Sequence, residues 1–282
     1  LMALAAIDEA VRNLVCTGAD PARIAILDNF CWPSCAKPEN MGSLVRAAEG
    51  CYDGAKAYCT PFVSGKDSLN NQLKYTDPQT GAERVIEIPP TLLITGLGIV
   101  PTLDRCTTTD AKAAGNVLLL VGAPTQAALG GSIAVEFAPA PDRAVPTTDL
   151  TVGPAAARCV AGLIQTGVVR SAHDVSDGGV LACIAEMLIG AMDGRASLGA
   201  EIDLSAVHGD VYAAAFGESP SRYVLEVPLT EVARVERAAH TSGCRADRIG
   251  MLNATGLLTV PAHRVSCTVG DLAGVWGRPL DW

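Results

Sequence analysis

The chain switches between two spacings of apolar residues, and each switch marks an element. Positions 2–17 are apolar at helical spacing and predict an amphipathic helix. The run at 23–28 predicts a strand closed by Asp28, followed by a loop rich in Cys, Pro and Gly over 29–42. Helical spacing returns at 43–57, with Leu44, Val45, Ala48 and Tyr52 on one side. A short strand at 61–64 delivers Gly65-Lys66-Asp67-Ser68; residues 77–81 form a turn, and 91–100 is a long apolar strand. The polar stretch 104–115 reads as a linker, and a new core begins with a strand at 116–122. Helices follow at 152–165, 180–188 and 230–240, with strands at 167–172, 222–227, 248–252 and 256–260 and a final helix and tail at 271–282. Strands and helices alternate loosely, which predicts two α/β or α+β domains, 1–112 and 113–282.

The strand at 167–172 empties into His173-Asp174-Val175-Ser176-Asp177-Gly178-Gly179, and a helix follows. Glycines let backbone approach a ligand, free N–H groups at a helix start favour anions, and Asp174 or Asp177 could hold Mg²⁺. The plain alternative is a helix capped by Ser176 or Asp177. Residues 65–68 hint at a P-loop, but Thr60 stands where its first glycine belongs and Asp67 where Ser or Thr must follow the lysine. A P-loop is excluded. A strand ending in these residues can still bring amides, an ammonium and a carboxylate to phosphate. Glu9 and Asn13, four apart, share one helix face and could both give oxygen to a metal; a solvated polar face is the alternative.

Composition narrows the classes. Hydrophobic residues are 49% and aromatics 4%, so the cores are built from Ala, Val, Leu and Ile. The net charge of −9 and the lack of a Lys/Arg cluster argue against nucleic acid and anionic membrane as partners. Ten cysteines are scattered, several in apolar runs, and read as reduced thiols of a cytoplasmic protein. Cys31 and Cys35 lack a second Cys/His pair at zinc spacing. The opening residues resemble neither a signal peptide nor a membrane span, and read as the interior of a longer protein.

His-Asp-x-Ser-Asp-Gly-Gly resembles the C-terminal-domain signature of the phosphoribosylformylglycinamidine synthase family. That family belongs to an ATP-using superfamily with aminoimidazole ribonucleotide synthetase, selenophosphate synthetase, the hydrogenase maturation factor and thiamine-phosphate kinase. Pro61-Phe62-Val63-Ser64-Gly65-Lys66-Asp67-Ser68, Ile26-Leu27-Asp28-Asn29-Phe30-Cys31-Trp32-Pro33 and Glu9-Ala10-Val11-Arg12-Asn13 resemble further segments of it. The resemblance implies a two-domain aminoimidazole ribonucleotide synthetase-like unit: an N-type domain truncated at its start, then a C-type domain. It implies nucleotide contacts at Asp28, Gly65, Lys66 and Ser176 and a substrate contact at Ser68. Glu9, Asn13 and Asp174 map to metal at an auxiliary nucleotide site. Shorter synthases carry Asn where Lys66 stands; a protonated lysine cannot ligate Mg²⁺, so Lys66 would offer charge to phosphate. Trp32 is expected to pack, and Glu218 and Arg222 of Glu-Ser-x-x-Arg to serve structure.

The implied cofactors are ATP/ADP and Mg²⁺. The implied partners are the missing N-terminal half of the synthetase and a glutaminase domain or subunit supplying ammonia. Gly50-Cys51-Tyr52-Asp53-Gly54 is no amidotransferase elbow, because Glu49 occupies the required first glycine position. The family's catalytic histidine belongs to the other half, so no catalytic base is assigned here. Two alternatives stand beside this expectation: another enzyme of the superfamily, such as a selenophosphate synthetase or small-molecule kinase, and a non-catalytic nucleotide-binding module.

Overall fold

A computed structural model describes residues 1–137, 144–192, 198–207 and 209–278. Helix α1 (Met2–Cys16) buries Ile7, Val11 and Val15, an i, i+4, i+8 stripe. Strand β1 (Ile24–Cys31) buries Ile24, Ile26 and Phe30 on one side by its two-residue alternation. Helix α2 (Pro38–Tyr58) crosses over to β2 (Phe62–Ser68), which pairs parallel to β1. A hairpin, β3 (Gln72–Thr76) and β4 (Glu83–Glu87), leads to β5 (Thr91–Gly98), antiparallel to β1. The first sheet runs β2-β1-β5.

The second sheet holds β6 (Val117–Gly122), β7 (Ser171–Asp174), β8 (Gly199–Ile202), β9 (Arg222–Val227), β10 (Arg245–Asn253), β11 (Leu257–Val260) and β12 (Val265–Thr268). Their order is β12-β11-β8-β10-β6-β9-β7. β6 and β9 are buried at every position. Val117, Leu119, Leu225 and Val227 meet α1, α3 (Val152–Gln165) and α6 (Val232–Thr241). Leu118, Leu120 and Val224 meet the opposite layer, with α4 (Gly179–Gly190), α5 (Val211–Phe216) and α7 (Val269–Trp276). Cover on both faces explains why 117–121 is apolar throughout rather than alternating. Because α1 packs against β5 and also against α3 and β7, one core crosses the expected boundary near residue 112.

Several elements differ from the sequence expectation. β1 continues through Cys31 and β2 through Ser68, because the two strands complete each other's backbone hydrogen bonds. α2 begins at Pro38, whose fixed φ suits a first helical position. β7 is 171–174, not 167–172, because Gly167 takes φ +74° in a turn and Ser171 is pinned to Glu226 at 2.8 Å. The β3–β4 hairpin, β8, α5 and β12 had no expectation. The last helix starts at Val269, with the Thr268 hydroxyl accepting from the Asp271 amide at 3.0 Å; residues 279–282 of the expected tail lie outside the described residues.

Candidate functional site

Asp174 ends β7 and is buried, facing α1. Arg12 reaches it from that helix: Nη1 donates to Asp174 Oδ2 at 3.2 Å, to the Val175 carbonyl at 2.9 Å and to Ser176 Oγ at 3.2 Å. The Ser176 hydroxyl also donates to Asp174 Oδ2. Asn13 abuts the other side of the carboxylate. With its amide nitrogen turned there, it donates to Oδ1 at 2.9 Å and to Oδ2 at 3.3 Å. Glu9 stands on the same helix face as Asn13, one turn earlier, with its side chain open to solvent. Its pKa is raised, chiefly because its surroundings exclude part of the water; Arg12 opposes this, while the charges of Asp174, Asp177 and Asp8 add to the rise. Asn13, Asp174 and Ser176 thus meet, from helix α1 and the exit of β7, and Glu9 lies near enough to feel the Asp174 charge. Among the described residues no three His, Cys, Asp or Glu side chains form a metal group, so this set depends on the Asn13 amide.

The charges behind the site are balanced internally. Burial alone would push Asp174 up, but the bond from His173, the Arg12 charge and the Ser176 hydroxyl hold it down at about 2. His173 places Nδ1 2.8 Å from the Asp174 carbonyl and Nε2 3.2 Å from Glu186. Burial opposes its charge, yet bonds to Asp174, Cys183 and Glu186 raise its pKa well above the usual value. Oxygen at both ring nitrogens favours the protonated form of His173, which braces β7. Arg12 Nε is held at 2.7 Å by Asp8, which also accepts from the Ser221 amide at 2.8 Å, the Ser221 hydroxyl at 2.6 Å and the Tyr58 hydroxyl.

The glycines act differently from the sequence expectation. Gly178 and Gly179 have φ of +76° and +72°, and a Cβ on Gly179 would lie 2.6 Å from Phe216 backbone. The Gly178 amide donates to Glu218 at 2.9 Å and the Gly179 amide to the Ser176 carbonyl at 3.0 Å. Two amides expected to be free for an anion are therefore taken. Neither Ser176 nor Asp177 caps α4, whose N-cap is Gly178 without a side-chain bond.

The residues at 65–68 form strand, not loop, and their side chains divide between two faces. Gly65 pairs with Asp28, and a Cβ there would overlap the Asp28 carboxylate. Asp67 shares that face, and its charge, after burial, helps raise the Asp28 pKa. Lys66 and Ser68 alternate to the opposite face, where the ammonium donates to the Ser68 hydroxyl. β2 is the edge of its sheet, so one ligand could reach both faces only around that edge. Trp32 is buried, with Nε1 donating to Ser43 at 2.9 Å. Arg222 is fully buried on the Ser219 and Gly217 carbonyls and Thr125, without a carboxylate partner among the described residues; burial lowers its pKa to about 10.

Sequence reasoning missed Asp8, Arg12, Tyr58, Ser221 and Glu186. The i, i+4 spacing of Asp8 and Arg12 was the one local signal.

Residues 1–100 match the family model described as AIR synthase related protein, N-terminal domain, and residues 113–262 match the corresponding C-terminal domain. The chain belongs to the AIR synthase related protein family. This family member is 36% identical over 271 residues to phosphoribosylformylglycinamidine synthase subunit PurL of Erythrobacter litoralis, covering 90% of this chain and 34% of the relative. It is 35% identical over 246 residues to the same subunit of Azorhizobium caulinodans, covering 87% and 31%. It therefore spans about a third of the length of the curated relatives it matches. Its fold is similar to Thermotoga maritima PurL complexed with FGAR, at TM-score 0.70 and 18% identity over 96% of this chain and 42% of that one. It is also similar to Escherichia coli HypE, a hydrogenase maturation protein, at TM-score 0.64 and 17% identity over 94% and 78%.

Proposed function

We propose that this chain is the C-terminal half of the synthetase portion of a phosphoribosylformylglycinamidine synthase, with an N-type domain at 1–112 and a C-type domain at 113–282. The reaction is formylglycinamide ribonucleotide + ATP + glutamine-derived ammonia → formylglycinamidine ribonucleotide + ADP + phosphate. ATP phosphorylates the amide oxygen, and ammonia then displaces phosphate from the iminophosphate. The observation that carries this reading is the meeting of Asn13 with Asp174, which Ser176 also bonds, across the two family segments, with Glu9 one turn from Asn13 on the same helix face. The PurL relatives at 35–36% identity support it, as do the similar structures of Thermotoga maritima PurL complexed with ATP, ADP and FGAR.

The residues at the auxiliary site fit Mg²⁺: an amide lies against a carboxylate, and a second carboxylate stands on the same helix face. Glu9, Asn13 and Asp174 would hold the ion and Ser176 the nucleotide. Mg²⁺ bound there would offset phosphate charge. At the β2 edge, Lys66 offers its ammonium to phosphate and Ser68 its hydroxyl to substrate. Asp28 and Gly65 approach the nucleotide from the other face. No residue of this chain acts as general base in this reading. The other synthetase half and a glutaminase complete the enzyme, which we place in the cytoplasm; nucleic acid and membrane are not partners. Among the described residues no helix is long and apolar enough to cross a membrane.

Alone, the purified chain should form no formylglycinamidine ribonucleotide from substrate, ATP and ammonia, whereas its full-length parent should. Product from the isolated chain, or none from the parent, would overturn the assignment.

A further inference from the structure

We propose that Arg12 is a positioning residue, which holds one oxygen of Asp174 so that the other is presented to the cation beside Asn13 and Glu9. This rests on the cation reading above. Arg12 is 4% exposed, yet its immediate neighbour Asn13 is open to solvent. One helix therefore carries two of the proposed ligands and the group that fixes the third.

Nη1 contacts three successive residues, Asp174, Val175 and Ser176, through a carboxylate, a carbonyl and a hydroxyl. An ion pair serving charge balance alone needs only the first. Contact with the Val175 carbonyl sets the backbone where β7 ends, and contact with Ser176 sets the hydroxyl that itself donates to Asp174 Oδ2. Oδ2 is thereby occupied by Arg12 and Ser176, while Oδ1 lies nearer Asn13, with His173 Nδ1 more distant at 3.4 Å.

Arg12 can do this because its other end is immobile. Nε lies on Asp8, and Asp8 is held by Tyr58 of α2 and by both the amide and hydroxyl of Ser221. Ser221 is one of few non-glycine residues with positive φ, at +62°. Gly153 of α3 leaves the room: a Cβ there would lie 2.8 Å from the Ser221 hydroxyl oxygen. The planar guanidinium reaches both groups at once, which an ammonium on a flexible stem cannot do with the same geometry.

Positioning and simple competition predict opposite signs. A positive charge beside a cation site repels the cation, so a guanidinium that merely competed for Asp174 would weaken binding, and its removal would tighten it. A guanidinium that orients the ligand gives the reverse. Groups behind metal ligands typically change affinity by about 10–100-fold when removed.

The test is Mn²⁺ titration of the full chain in the presence of ADP, with free Mn²⁺ read by electron paramagnetic resonance. The variants are Asp174→Asn, Arg12→Lys, Arg12→Met and Asp8→Asn/Arg12→Met. The double variant removes both buried charges together, and near-UV circular dichroism and thermal melts report folding. Arg12→Met and the double variant should weaken Mn²⁺ binding about 10–100-fold. Arg12→Lys should recover most of the melting temperature but remain roughly tenfold weaker for Mn²⁺. If Arg12→Lys folds normally and binds within twofold of wild type, or if the Met variants bind more tightly, Arg12 is not a positioning residue. If Asp174→Asn binds as well as wild type, the cation site itself is misplaced and the inference falls with it, a pattern distinct from the other two.

Discussion

Arg12 and Asp174 lie 162 positions apart in the chain and meet at 3.2 Å, both buried. The contact joins the first helix to the end of β7. It makes the proposed auxiliary site a property of two segments, each incomplete without the other.

Nucleotide stabilisation should depend on Asp174 and not on Lys66. A ligand bound only by the folded state adds about 2.7 kcal/mol at a hundredfold excess over its dissociation constant. Asp174→Asn should lower the melting temperature and abolish the shift caused by Mg·ADP at this site. Lys66→Ala, on another sheet, should keep it. Thermal melts with and without Mg·ADP decide; an unchanged shift in Asp174→Asn would remove the auxiliary site.

Lys66 should matter for turnover. Its side chain is exposed and bonded to Ser68, so Lys66→Ala should leave folding intact. Loss of a charge-assisted contact of about 1.4 kcal/mol is a tenfold effect. In the full-length parent, ammonia-dependent kcat/KM for ATP should fall by roughly that factor. A rate and ATP KM both within twofold of wild type would rule out the phosphate role.

The two charged residues that end β7 make opposite pH predictions. Asp174 sits at about 2 when folded, below the ordinary carboxyl value near 4. Its stabilisation is present above about pH 4 and lost as pH falls through about 2, on the order of 2 kcal/mol in all. His173 is raised when folded, so its contribution is full below about pH 6.5 and declines as pH rises beyond that value. Urea unfolding of wild type and His173→Gln from pH 5 to 9 should show a stability gap that narrows toward the alkaline end. A gap that widens would mean that His173 is neutral in the fold.

Gly65 should tolerate no side chain while Asp28 is present. Gly65→Ala forces a methyl into the Asp28 carboxylate and should cost about 1–3 kcal/mol. Adding Asp28→Ala opens that space, so the double variant should be more stable than the sum of the two single effects allows. Additive losses in chemical denaturation would show that the strand pair relaxes around the methyl.

The parts legible in the sequence were those whose chemistry is local. Asp174 and Ser176 follow a strand and precede an apolar helix; Glu9 and Asn13 share a face by spacing alone. What stayed hidden is tertiary. Residues 28–29 and 65–68 are polar or glycine, so no apolar alternation marks them, yet register with each other keeps them in strand. The β3–β4 hairpin has no fully buried residue to produce a hydrophobic signal. β8 and β12 are four residues each, and α5 is six, too short for periodicity to register. Nothing near Asp8 and Arg12 distinguishes a solvated helical pair from a buried one, because the groups that bury it are Tyr58, Asp174 and Ser221.

Helix α1 belongs to both sheets at once, and this has a mechanical meaning. Sliding one sheet past the other would pull Ile7, Val11 and Val15 from a shared core and break the bonds of Asp8 and Arg12 in the same stroke. The joint behaves as a rivet rather than a hinge. The β3–β4 hairpin, which forms its own two-stranded sheet outside the first, stands apart from that joint. Gene fusions or truncations that split the chain near residue 112 would separate the two halves of that rivet and should yield insoluble pieces.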